Sequence, residues 1–145
     1  MDQKDYSCTI TPNVSAHAAF TGICRVSDWW AKTTEGSTQH LNDKFIVRFG
    51  ETNVTFKIVE MDDDKKIVWH VTDCYLPFLN DKSEWTNTYV VFEISDKNNL
   101  TQIDFTHIGL QPVIECYDMC VKGWDQYVKG SLFKLLTENK GAPAN

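Results

Sequence analysis

Five runs of alternating apolar and polar residues between Phe45 and His107 constrain this chain more than any other feature. Phe45, Val47 and Phe49 alternate with Ile46 and Arg48, and Val54, Phe56 and Ile58 with Thr55 and Lys57. Ile67, Trp69 and Val71 come next, then Val90, Phe92 and Ile94, then Ile103, Phe105 and His107. A period of two places every second side chain on one face of a strand. These runs therefore predict an antiparallel sheet with one strongly aromatic face and one mostly polar face. Asp62-Asp63-Asp64 and Asp96-Lys97-Asn98-Asn99 have the composition of hairpin turns, and Pro77–Glu84 reads as a longer connection.

An opening strand is expected over Lys4–Ile10, stopped by Thr11-Pro12-Asn13. A short helix capped by Asn13 or Ser15 should run through Gly22, and a second should cover Val26–Lys32. Trp29 and Trp30 cannot both face inward from one regular helix, so one is expected at the cavity mouth. Glu35-Gly36-Ser37 reads as a loop, and Glu84-Trp85 as an exposed edge or lid.

The last element is expected to be one long helix from Pro112 to Asn139, since proline suits a first turn and Gly141 and Pro143 are stop signals. Val113, Tyr117, Cys120, Val121, Trp124, Tyr127, Val128, Ser131 and Leu135 share one broad stripe at about 100° per residue. Glu115, Asp118, Lys122, Gln126 and Lys129 lie opposite, and Phe133 falls on that polar side, where with Met119 it offers a contact for a homodimer. Gly123 and Gly130 each weaken the helix by roughly 1 kcal/mol, which close packing or a bend would offset.

Charge and length restrict function. The 145 residues carry 14 Lys+Arg against 20 Asp+Glu, a net charge of −6 with no basic cluster, which argues against a nucleic-acid partner. No apolar run nears the roughly 20 residues of a membrane span, and the start lacks a signal-peptide apolar region. Five scattered cysteines make no disulfide framework, so a cytoplasmic setting is expected. Cys116 and Cys120, one helical turn apart, read as core thiols. A redox pair, or a metal site completed by His107, are the alternatives, and a disulfide within one regular helix is geometrically awkward. His107 can hold a ligand's polar group, act as a general base, or be bonded to backbone or Tyr117. Asp73 continues the inward phase of Val71 but is expected at a wet strand end. No G-x-S-x-G, H-E-x-x-H or phosphate-loop pattern is present, so no catalytic residue, metal or cofactor is assigned.

The segments AFTGICRVSDWW, KIVWHVTDC, EWTNTYVVFEIS, TQIDFTHIGLQPVIECYDMC and GWDQYVKGSLFKLL, in this order, resemble the START-like (SRPBCC) helix-grip superfamily. The resemblance is closer to its heat-shock-protein-90 ATPase activator-like (Aha-type) branch. It implies an α+β fold over residues 1–145, with a curved six-stranded antiparallel sheet around a long C-terminal helix and two short helices after the first strand. It also implies an internal cavity for a small apolar or amphipathic molecule, or a chaperone as partner. Phe56, Trp69, Val71, Phe92, Phe105, His107, Tyr117, Cys120 and Trp124 are the expected ligand-binding residues.

Overall fold

The computed structural model describes residues 5–97, 100–112 and 114–143. Seven strands form one antiparallel sheet: β1 (Tyr6–Ile10), β2 (Thr34–Gly36), β3 (Lys44–Phe49), β4 (Thr52–Asp62), β5 (Lys66–Tyr75), β6 (Tyr89–Lys97) and β7 (Leu100–Ile108). Their order across the sheet is β1-β7-β6-β5-β4-β3-β2, so the first strand pairs with the last. The extra strand over the expected six is β2, where a loop was read; Glu35 and Gly36 pair with Ile46 and Phe45. Three residues are too few to show a period, and only the exposed edge of β3 makes them a strand.

Alternation is realised along the sheet. Phe45, Val47, Val54, Phe56, Ile58, Ile67, Trp69, Val71, Val90, Phe92, Ile94, Ile103, Phe105 and His107 are all buried. The β4–β5 register shifts twice, once between Ile58 and Glu60, where Val59 is the extra residue, and once near the end of β5. The register shifts between Thr55 and Phe56, which pair with Asp73 and Val71, leaving Thr72 as the extra residue. The bulge turns Asp73 outward and brings Cys74 into the core. Lys4, Asn98 and Asn99 lie outside the described residues.

Helix α1 (Ala16–Ile23) is capped by Ser15, whose side chain accepts the Ala18 N–H at 3.0 Å. Helix α2 covers Val26–Trp29, shorter than expected. Because it ends there, Trp30 leaves the helical phase, and Trp29 and Trp30 are both buried, at 0% and 3% exposure. Both indoles stack on Trp69, at 6.4 and 6.2 Å between centroids.

The C-terminal helix begins at Tyr117, not Pro112. Before it the chain forms tight turns, with the Ile114 N–H on the Gln111 carbonyl and the Tyr117 N–H on the Ile114 carbonyl. Glu84 fixes this entry by accepting the N–H groups of Glu115 and Cys116 at 3.0 and 3.2 Å. Val113 lies outside the described residues. Helix α3 (Tyr117–Trp124) continues as a π-helical segment (Asp125–Leu132) and then α4 (Phe133–Glu138). A π-turn advances less per residue than an α-turn, so the wheel phase slips. Leu132 thereby joins the buried face with Val128, Ser131 and Leu135, and Phe133 packs half-buried against the core instead of facing solvent. A methyl placed on Gly123 or Gly130 would meet no heavy atom within 4 Å, so close packing does not explain either glycine.

Candidate functional site

The expected internal cavity, a cup between the curved sheet and the C-terminal helix, is mostly filled. Trp29, Trp69, Phe45, Phe56, Phe92 and Phe105 are fully buried and touch one another in a chain of edge-to-face and stacked contacts. Space remains where helix α3 crosses the start of β4 and the 76–85 connection. There a half-open pocket of about 350 Å³ is walled by Trp30, Phe49, Val54, Leu76, Phe78, Trp85, Trp124 and Tyr127, with Thr52, Met119, Cys120 and Gly123 completing its lining. The walls are largely apolar, and six of the eight side chains named first are aromatic. Phe78 and Met119 are the exposed members, at 46% and 61%. Gly123 contributes by absence, since a side chain there would project into space that holds no protein atom within 4 Å.

Of the nine residues expected to bind ligand, Cys120 and Trp124 line this pocket. Phe56, Trp69, Val71, Phe92, Phe105 and His107 lie behind the wall in the packed core, and Tyr117 packs half-buried against that core. Trp30, Phe49, Phe78, Trp85 and Tyr127 supply aromatic wall that was not among the nine expected ligand-binding residues, although one of Trp29 and Trp30 was expected at the cavity mouth. Trp85, expected as an exposed edge or lid, is 7% exposed, lines the pocket and stacks on Trp124 at 5.8 Å. Its position next to Glu84, the clasp on the helix entry, was the available signal.

His107 sits directly behind this wall and is fully buried. The Trp124 indole N–H donates to its Nδ1 at 3.0 Å. An indole nitrogen can only donate, so Nδ1 is unprotonated and Nε2 carries the hydrogen. Nε2 lies 2.9 Å from the Thr88 hydroxyl, which itself donates to the Trp85 carbonyl at 2.6 Å. The relay is consistent from end to end: Trp124 to His107, His107 to Thr88, Thr88 to the Trp85 carbonyl. Neither Tyr117 nor a backbone group is the partner. Gly109 allows this approach: at φ +107° it takes a left-handed conformation, and a methyl there would lie 2.6 Å from Thr88 Cγ2. Burial pushes the His107 pKa down from 6.5 to about 3, with the Asp5 charge opposing weakly. Nδ1 accepts from a donor and the ring is shielded from solvent, so the imidazole is held as a neutral strut between the sheet and helix α3.

Cys116 and Cys120 form a disulfide, where core thiols were expected. The geometric objection to a bridge within one regular helix does not apply, because Cys116 is the N-cap, one residue before helix α3, with a Cα–Cα distance of 5.7 Å. The Trp85 indole N–H points at the Cys116 sulfur at 3.2 Å. Among the described residues no cluster of three or more His, Cys, Asp or Glu has the placement to hold a metal ion. A larger, polar groove of about 610 Å³ lies between α2 and the C-terminus, but Arg25 there is already engaged by Asp28 at 2.8 Å and by Asn139 at 3.2 Å.

A curved antiparallel sheet gripping a C-terminal helix, with two short helices after the first strand, defines a START-like helix-grip fold of the Aha1 type. The Aha1 dimer of Colwellia psychrerythraea superimposes with a TM-score of 0.77 over 95% of this chain and 99% of its own, at 19% identity. Protein MLL2253 of Mesorhizobium loti gives 0.74 over 96% and 100%, at 10% identity. DynU16, from the dynemicin biosynthetic locus, gives 0.68 at 11% identity over 93% of this chain, which spans about half (48%) of that protein. No family profile matches the sequence, and no curated protein does. Among the described residues no helix is long and apolar enough to cross a membrane.

Proposed function

We propose that this protein binds a small apolar or amphipathic molecule in the half-open pocket between helix α3, β4 and the 76–85 connection. The observation that carries this reading is the pocket itself: about 350 Å³ of space with an aromatic wall, beside a core that is otherwise filled. That volume is at the lower end of the roughly 300–1,000 Å³ of small-molecule sites. It suits a compact ring system or a short chain, not a long lipid. The flat faces of Trp30, Trp85 and Trp124 favour a planar guest. Its polar end would remain at the mouth, because the histidine behind the wall has both ring nitrogens already bonded.

Titration with a small aromatic probe, anilinonaphthalene sulfonate, tests the reading through tryptophan fluorescence and native mass spectrometry. Saturable 1:1 binding is expected. Gly123→Leu should abolish it by filling the pocket while the protein stays folded. Failure to bind, or binding unchanged in folded Gly123→Leu, would refute the assignment.

A further inference from the structure

We propose that the Cys116–Cys120 disulfide is a thiol-exchange site that accepts small apolar thiols through this pocket, with Cys120 as the attacked sulfur. The proposal rests on the pocket reading and assigns it a substrate class. Its basis is the unequal placement of the two sulfurs. Cys120 is part of the pocket lining, whereas Cys116 is 1% exposed and shielded by Trp85. A thiolate entering the pocket therefore meets Cys120. The departing sulfur is then Cys116, and the Trp85 indole N–H already points at it from 3.2 Å. That hydrogen bond strengthens as the sulfur takes up negative charge. The N-cap position of Cys116 on helix α3 acts in the same direction. Glu84, whose carboxylate accepts the Cys116 N–H, opposes the charge, so the indole is the group on which departure depends.

The step balances as ordinary exchange. The entering thiol loses its proton to solvent, and its sulfur forms a bond to Cys120 Sγ. The Cys120–Cys116 bond breaks, and Cys116 leaves with the electron pair and takes a proton. A second equivalent of the thiol attacks the mixed disulfide at the guest's sulfur, releasing the oxidised guest and leaving both cysteines reduced. Two thiols are oxidised and one protein disulfide is reduced. Selectivity would come from the aromatic wall, which rewards an apolar thiol and gives a hydrophilic one nothing to bind.

The test compares phenylmethanethiol with 2-sulfanylethanol as reductants of the oxidised protein, with rates corrected for thiolate fraction. Phenylmethanethiol is expected to react at least about tenfold faster. Phe78→Ser, which removes part of the aromatic wall, should lower the rate ratio of phenylmethanethiol to 2-sulfanylethanol toward one. Trp85→Phe should slow both several-fold. In Cys116→Ala, dibenzyl disulfide should load Cys120, as read by peptide mass mapping. Equal rates in the wild type, or no adduct on Cys120 in a folded Cys116→Ala, would overturn the proposal. Toluene binding, followed by the indole resonances of Trp30 and Trp124, separates the two failures. If toluene binds while the two thiols react equally, exchange is refuted and the pocket reading stands. If toluene does not bind, both fall.

Discussion

Acidification is expected to destabilise this protein through His107 before most carboxylates are protonated. The folded-state pKa is about 3 and the unperturbed value 6.5, lowered mainly by burial. Between those values the unfolded chain binds a proton that the folded chain excludes. Stability from this group is thus fully present above pH 6.5 and is lost progressively as pH falls toward 3. Linkage over that window gives a loss of roughly 2 kcal/mol between about pH 7.5 and about pH 5 from this residue alone. The structural reason is specific: a proton on Nδ1 would face the Trp124 N–H, two donors with no acceptor between them. Urea unfolding at both pH values, for wild type and His107→Gln, isolates the term. The variant will be less stable at both, but its stability should fall by roughly 2 kcal/mol less on acidification. Imidazole NMR of the folded wild type should show an Nε2–H tautomer with no protonation at pH 5. Equal acid losses in the two proteins, or a His107 that titrates near 6.5 while folded, would refute the neutral strut.

Trp124→Ala removes a buried indole and its hydrogen bond to His107, and should cost about 3–5 kcal/mol in denaturant unfolding; near-unchanged stability would contradict its placement. Thr88→Val leaves the His107 Nε2–H without its acceptor and should cost about 1–3 kcal/mol by the same measurement. Gly123→Ala adds a methyl that meets nothing and should stabilise the helix by up to about 1 kcal/mol, in contrast to the pocket-filling leucine. Phe133→Glu should lower thermal stability, because the ring packs against the core; a shift in oligomeric state by ultracentrifugation with stability unchanged would restore the outward contact that the helical wheel predicts.

The sequence by itself determined six of the seven strands and which faces of the five from β3 to β7 turn inward. Alternation is a local property of the chain, and Phe45 through His107 obey it wherever the pleat is regular. The cap before α1, narrowed to Asn13 or Ser15, and the apolar seam through Trp124 and Val128 were legible for the same reason, since each needs only neighbours within a few residues. What tertiary structure decided lies where distant groups overrule local period. The Thr72 bulge swaps Asp73 for Cys74 because β4 and β5 pair out of step. Glu84 holds the helix entry from across the molecule, delaying the helix to Tyr117 and leaving Cys116 outside it to bridge with Cys120. The π-helical segment rotates Leu132 inward and spoils a wheel drawn at a constant angle. The candidate site was legible only at Cys120 and Trp124. Side-chain volume decided the rest: Trp29, Trp69, Phe56 and Phe92 consume the interior of the cup, so the remaining space is pushed to its mouth. A sequence pattern states which faces are apolar, but not whether the volume between them is full.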